Sequence, residues 1–231
     1  MTDRAALLIG VPVCDNDLFT AIGDVVTTDI RRMTDALAQS GYRLRYCGVG
    51  DPAGHEPTGN RIRAAILATV REAPPGGVVI VYFSGHGVVV DGRSWLVPQD
   101  VYEAGNGPDP ESLVSLVPRD LGDCGARLVL FLVDACRNEM SEALAVPATG
   151  GTLPYPPDGA FVLINSCQPG QRSQYGDEGS HFTQALAEVL DRRYSARTLD
   201  EVYGAVVRHL VRKAARTDGP RSESCGATHF C

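Results

Sequence analysis

The 231-residue sequence predicts an α/β fold in which a mostly parallel sheet carries helices on both faces. Uninterrupted apolar, β-branched runs such as "VVIVYF" (78–83) and "RLVLFLV" (127–133) lack polar alternation, as expected of strands buried on both sides of a parallel sheet. Between such runs lie segments with apolar residues at helical spacing, the crossovers that parallel strands require. Hydrophobic residues make up 44% of the chain with no shift in composition along it, which predicts one domain over 1–231 with its core in about 4–216.

The elements follow in order. "AALLIGV" (5–11) is the first strand. Residues 28–40 put Ile30, Met33, Ala36 and Leu37 on one helical face and stop at Gly41, a residue suited to the left-handed turn after a helix. "RLRYC" (43–47) alternates like a strand. "PTGNRIRAAILATVREA" (57–73) is a helix with Thr58 as N-cap and Ile62, Ile66 and Val70 as its apolar stripe, and "PPGG" (74–77) ends it before the strand at 78–83. Asp91-Gly92 between apolar runs signals a hairpin. "RLVLFLVDAC" (127–136) and "AFVLINSC" (160–167) are further buried strands, separated by a loop rich in Pro and Gly. Helices at 180–191 and 198–216 close the pattern, the second opening on a capping box of Thr198 and Glu201. Residues 217–231 read as a tail with a short closing strand.

The formal net charge of -7 is spread along the chain and argues against nucleic acid or a membrane surface as a partner. The first apolar run is too short and too early for a signal peptide or a membrane span, so a cytoplasmic protein is expected. Seven cysteines, an odd number with no CxxC among them, are expected to be reduced thiols.

In an open α/β sheet, sites form beyond the carboxyl ends of the strands. "YFSGHG" (82–87) places His86 just past one such end, between two glycines, and "DACR" (134–137) places Cys136 past another. A histidine and a cysteine on adjacent strand ends suggest a thiolate nucleophile with an imidazole acid/base, the chemistry of acyl transfer. Gly85 and Gly87 let the backbone turn tightly, and the Gly87 and Cys136 amides can polarise a carbonyl as an oxyanion hole. Each residue also has a plain structural reading: His86 as a histidine bonded to backbone, Cys136 as a buried thiol, Asp134 as a solvated carboxylate, and Cys167 as a rival nucleophile.

"YFSGHG" and "LFLVDACR" (130–137) resemble the His-Gly and Ala-Cys blocks of the caspase and metacaspase superfamily of cysteine proteases. The order of "ALLIGV", the Asp29 helix, "SWLVPQD" and "SHFTQALAEVL" extends the resemblance to bacterial caspase-like domains over most of the chain. It implies a caspase-haemoglobinase-like three-layer sandwich and a cysteine endopeptidase with His86 and Cys136 as catalytic residues. Caspases that cleave after aspartate carry Gln two residues before the cysteine, whereas this chain has Asp134. Aspartate there, with Asp29 at the start of the first helix, resembles the acidic S1 pocket of metacaspases, which implies cleavage after Arg or Lys. Ser166 and Cys167 fall in the segment the resemblance places in the substrate-binding loop. Arg137-Asn138 after the cysteine departs from the His and Ser-Gly usual in metacaspases.

The partners so implied are a polypeptide substrate and a regulatory protein. No cofactor is expected, although Asp15, Asp17 and Asp24 form an acidic loop open to Ca²⁺ as in some metacaspases; their spacing is not that of an EF-hand loop. Cys225, His229 and Cys231 have the chemistry of metal ligands, but without a fourth ligand no metal site is assigned. Three other readings stay open: a catalytically silent caspase-like scaffold, a hydrolase or transferase acting on a non-peptide ester or thioester, and a caspase-like protease with aspartate at P1, for which Arg172 would be the counter-charge.

Overall fold

The computed structural model describes residues 4–90, 93–105, 107–115, 124–136, 138–139, 160–167, 170, 172–190 and 199–217. Strand β1 (Arg4–Gly10) leads through α1 (Gly23–Gln39) to β2 (Arg43–Gly48), and α2 (Gly59–Arg71) leads on to β3 (Val78–Ser84). A hairpin of β4 (Gly87–Val90) and β5 (Arg93–Leu96) follows, with short strands β6 (Glu103–Ala104), β7 (Gly107–Pro108) and β8 (Val114–Ser115). The chain then returns to the main sheet as β9 (Leu128–Asp134), runs through β10 (Asn138–Glu139), and re-enters as β11 (Ala160–Asn165). A small hairpin of β12 (Tyr175–Gly176) and β13 (Gly179–Ser180) precedes α3 (His181–Leu190) and α4 (Leu199–Thr217).

Five strands form a parallel sheet in the order β11-β9-β3-β1-β2, as the apolar runs predict. Side chains alternate across it. Leu7, Ile9, Val81, Phe83, Phe131 and Val133 pack against α2 on one face. Leu8, Ile80, Tyr82, Leu132 and Ile164 pack against α1, α3 and α4 on the other, giving three layers. The connection from β1 goes outward to β2, and the next connection crosses back to β3, so strand order reverses between β1 and β3. That reversal opens a crevice at their carboxyl ends.

The local signals were mostly sound. Thr58 caps α2, its Oγ1 accepting from Arg61 N at 3.4 Å. Gly41 follows α1 with φ 78°, its amide donating to Ala38 O and that of Tyr42 to Leu37 O, a Schellman closure. Val90 pairs with Arg93 across the hairpin; Asp91 and Gly92, which carried the prediction, lie outside the described residues. So do Thr198 of the capping box and the tail from residue 218 on.

One boundary is corrected. Helix α1 begins at Gly23, not at 28, so Asp29 lies in its second turn rather than at its start. Ile22 sits at the N-cap with no side-chain hydrogen bond, and Val25, Val26, Thr27 and Thr28 are poor helix formers, so no local signal marks this start. Packing decides it, because Val26 joins the buried stripe of Ile30 and Met33. The short strands β6 to β8, β10, β12 and β13 have no periodicity long enough to read.

At the end of β2, Gly48 has φ 83°, and a Cβ there would lie 2.2 Å from Gly10 O. Gly48→Ala should therefore lower stability by at least about 2 kcal/mol, from backbone strain and from pushing β2 off β1. Urea denaturation would check this, and an unchanged midpoint would refute it.

Candidate active site

Parallel pairing brings three strand ends level. Gly10 of β1 pairs with Ser84 of β3, which pairs with Asp134 of β9. Gly10 sets how closely α1 can approach, since a Cβ there would meet Ile30 Cγ1 at 2.8 Å and Val26 Cγ1 at 3.2 Å. With α1 held this close, Asp29 lies over the strand ends and accepts a 3.1 Å hydrogen bond from Ser84 Oγ. The β12–β13 hairpin covers its other oxygen, with Ser180 N donating to Asp29 Oδ1 at 2.9 Å. Gly179 makes this contact sterically possible: its φ is 86°, and a Cβ would lie 2.4 Å from Asp29 Oδ1.

Asp134 receives Ser173 Oγ at 2.7 Å and Thr183 Oγ1 at 2.6 Å, and the Tyr82 hydroxyl hydrogen-bonds to Thr183 behind it. Asp29 is 1% exposed and Asp134 4% exposed. Two neighbouring carboxylates out of water cannot both ionise cheaply. Burial, and then the Asp134 charge, push the Asp29 carboxyl up to about 7.

Both acids line the buried part of a cleft of about 430 Å³, whose walls include Phe19, Thr20, His86, Cys136, Arg172 and Tyr175. The His86 ring packs on Phe19, with centroids 5.1 Å apart, and Nε2 lies 2.7 Å from Thr20 O. A carbonyl oxygen only accepts, so Nε2 carries the proton and Nδ1 is left as the basic nitrogen. Burial holds the imidazole below its usual value, partly offset by the Thr20 bond. Half-buried Cys136 lies two residues past the end of β9 and carries a free thiol.

Gly87 is not among the cleft-lining residues, but it backs onto Cys136: a Cβ on Gly87 would lie 2.8 Å from Cys136 O and 2.9 Å from the Ala135 side chain. Val97 N donates to His86 O at 3.0 Å, which makes Gly87 and Leu96 the non-bonded pair of the β4–β5 ladder. The Gly87 amide is thereby turned to the opposite edge of β4, where β10 pairs immediately after Cys136.

Ser166 and Cys167 are placed differently from the expectation. Both are buried, neither lines the cleft, and their Oγ and Sγ donate to Ala135 O at 3.2 and 3.3 Å. They brace the chain beside Cys136. Sequence reading did not find Thr20, Tyr82, Ser173 or Thr183. A backbone carbonyl leaves no mark on its own side chain, and the three hydroxyls come from separate elements. Asp15 bonds to Gln99, Nε2 donating to its Oδ1 at 3.1 Å, and no group of three or more metal-binding side chains occurs among the described residues. Cys225, His229 and Cys231 lie outside them.

A family model for the caspase domain of peptidase family C14 matches residues 4–229, and the chain belongs to that family of cysteine peptidases, whose substrates are polypeptides. Among solved structures, a structural-genomics protein from Geobacter sulfurreducens superposes with a TM-score of 0.67 at 19% identity, covering 99% of this chain and 92% of its own. A caspase-1 from Spodoptera frugiperda gives a TM-score of 0.66 at 16% identity, covering 100% of this chain and 85% of its own. At these identities the likeness is one of fold. No curated protein matches by sequence. Among the described residues, no helix is long and apolar enough to cross a membrane.

The raised Asp29 carboxyl has a stability consequence. Between the ordinary carboxylate value and about 7 the folded chain binds a proton that the unfolded chain has released, so this group's contribution to stability falls as pH rises through that window. Asp29→Asn should be near neutral at pH 4 and stabilising at pH 8, on the order of 1–4 kcal/mol. Thermal melts at the two pH values test this, and equal effects at both would contradict it.

Proposed function

We propose that the protein is a cysteine endopeptidase that cleaves after Arg or Lys, with Cys136 as nucleophile and His86 as acid/base. One observation supports the reading above all: a single cleft at the strand-order reversal joins the thiol, the imidazole and two buried carboxylates.

His86 Nδ1 takes the Cys136 proton, Sγ attacks the carbonyl carbon after the basic residue, and the oxyanion rests on the Gly87 and Cys136 amides. Collapse breaks the C–N bond while Nδ1–H protonates the leaving amine. A water deprotonated by His86 then hydrolyses the thioester and restores Cys136. The Thr20 carbonyl keeps the ring in the tautomer this cycle needs. Asp29 and Asp134 receive the substrate guanidinium or ammonium through charge-assisted hydrogen bonds. The thiol chemistry uses no cofactor and suits a reducing cytoplasm.

Arg172 on the cleft wall favours the second reading, with aspartate at P1, but it is exposed whereas both acids are buried. A positional-scanning peptide library separates the two. Asp134→Ala should weaken transition-state binding of Arg substrates by about 2–5 kcal/mol, as for other truncated buried charge pairs. Cys136→Ala should abolish turnover with circular dichroism unchanged, and full activity in that variant would move the nucleophile elsewhere. A wild-type preference for Asp at P1 would overturn the S1 assignment.

The segment Asn138 to Gly159 contains neither Lys nor Arg. An enzyme specific for basic residues cannot cut itself there, so its activity is governed by another device, such as a regulatory partner, an ion or ordering of the loops. Mass spectrometry of wild type beside Cys136→Ala should find no cleavage of that segment that depends on Cys136. A cut seen only in wild type would overturn both the single-chain state and the basic specificity.

A further inference from the structure

We propose that the hydroxyl chain from Tyr82 through Thr183 makes Asp134 the standing anion of the cleft and Asp29 its proton holder, so that a basic side chain binds as Asp29 releases a proton. This rests on the reading of the two acids as a cation-binding pair.

Hydrogen-bond polarity carries the assignment. Thr183 is fully buried, and its single hydroxyl proton goes to Asp134 Oδ2 at 2.6 Å, so the fully buried Tyr82 hydroxyl donates to Thr183 in turn. Ser173 adds a second hydroxyl at 2.7 Å on Oδ1. Asp134 thus receives two short hydroxyl bonds, one polarised by a further donor behind it, an arrangement that favours the ionised acid. Asp29 has one longer hydroxyl bond, 3.1 Å from Ser84, and one amide at 2.9 Å, and it is the more buried of the two. A shared deficit of one charge is therefore met by protonating Asp29, in keeping with its upward displacement.

The surrounding charges leave this intact. Asp134 faces Asp29 from β9 and Tyr82 from β3; Arg32 on α1, half-buried and bonded to Glu178 O, pulls the Asp29 carboxyl down, but by less than burial and the Asp134 charge push it up; Asp177 and Glu178 at the hairpin turn are exposed. From α3 and β13 the facing groups are the Thr183 hydroxyl and the Ser180 amide. Across the cleft stand Cys136, Arg172, Tyr175 and His86, the last held below its ordinary value by burial. An arriving guanidinium supplies the positive charge that lets both acids ionise, and the Asp29 proton leaves to water. Affinity for a basic ligand should then rise roughly tenfold from pH 6 to pH 8, with about half a proton released at pH 7 and none at pH 9.

The Cys136→Ala protein binds without turnover and is the form to measure. Calorimetric titration with acetyl-Gly-Gly-Arg-amide, in buffers of different ionisation heat, counts the protons, and the weaker binding that Asp29→Asn leaves should carry no proton release. Carboxyl ¹³C NMR of the free protein should show Asp29 protonated and Asp134 ionised at pH 6. Thr183→Val should shift the proton toward Asp134, and Thr183→Ser should restore it; Tyr82→Phe should act in the same direction as Val if the Val variant folds poorly. Arginine-peptide binding with no proton release would overturn the proposal and leave the basic-P1 reading standing. An unmoved proton in well-folded Thr183→Val and Tyr82→Phe would overturn the role of the hydroxyl chain. Binding of an aspartate-ended peptide in place of the arginine one would overturn the P1 reading itself, and the proposal with it.

Discussion

Because β1, β3 and β9 are paired in parallel and in one register, Gly10, Ser84 and Asp134 finish on one line and one face, and every feature of the cleft hangs from that line. A slip of β3 by one residue would turn Ser84 toward α2 and point Phe83 at Asp29, since side chains alternate with a period of two. The register is held by burial on both faces, with Phe83 and Val133 packed on the α2 side and Tyr82 and Leu132 on the side of α1 and α3. The same apolar stretches that form the core thus also aim the polar residues at their ends.

That line also explains how an unfavourable arrangement persists. Two buried carboxylates side by side work against folding, and a site that gathers them must draw on stability elsewhere in the structure. Here the five-stranded sheet and its covering helices provide it, while the local cost is lowered by donors from several elements: Ser84 from β3, Ser180 from β13, Thr183 from α3, and Ser173 from the segment before β12. Ser180 also begins α3, its Oγ accepting from Phe182 N at 3.1 Å and Thr183 N at 3.3 Å. A single residue thus contacts Asp29 through its amide and orients the helix that brings Thr183 to Asp134.

The sequence showed the core better than the site, for physical reasons. Long apolar runs and helical stripes are repeated signals, so β1, β3, β9, β11 and α2 could be placed within a residue or two. Helix α1 was placed by its second half alone, because its first turns rely on packing rather than on caps or propensity. His86 and Cys136 stood out because each follows a buried strand beside small residues. Asp29 was seen only through a family resemblance, since nothing near it in sequence indicates that a glycine on another strand lets its helix come close. Cys167 was misplaced for a related reason: the end of β11 carries its thiol to Ala135 O instead of into the cleft, and which way a strand-end side chain turns is decided by its neighbour.

The two glycines around the histidine answer to different neighbours. A Cβ on Gly85 would lie 2.8 Å from the Phe83 ring and 3.1 Å from Val11, so that glycine lets the chain turn out of β3 without displacing the core beneath it. Gly85 N still reaches Asp134 O at 3.3 Å, extending the β3–β9 pairing one residue past the strand. Gly87 instead permits contact with the Cys136 backbone. Between them His86 is held from its far side, where Thr20 O accepts a hydrogen bond from Nε2–H and Phe19 covers the ring, both from the segment between β1 and α1. That segment is fixed in turn by Val11 N on Ser84 O at 3.0 Å and Ile22 N on Pro12 O at 3.0 Å. The tautomer of one side chain therefore depends on how β1 ends, which is why no motif around His86 alone could have specified it.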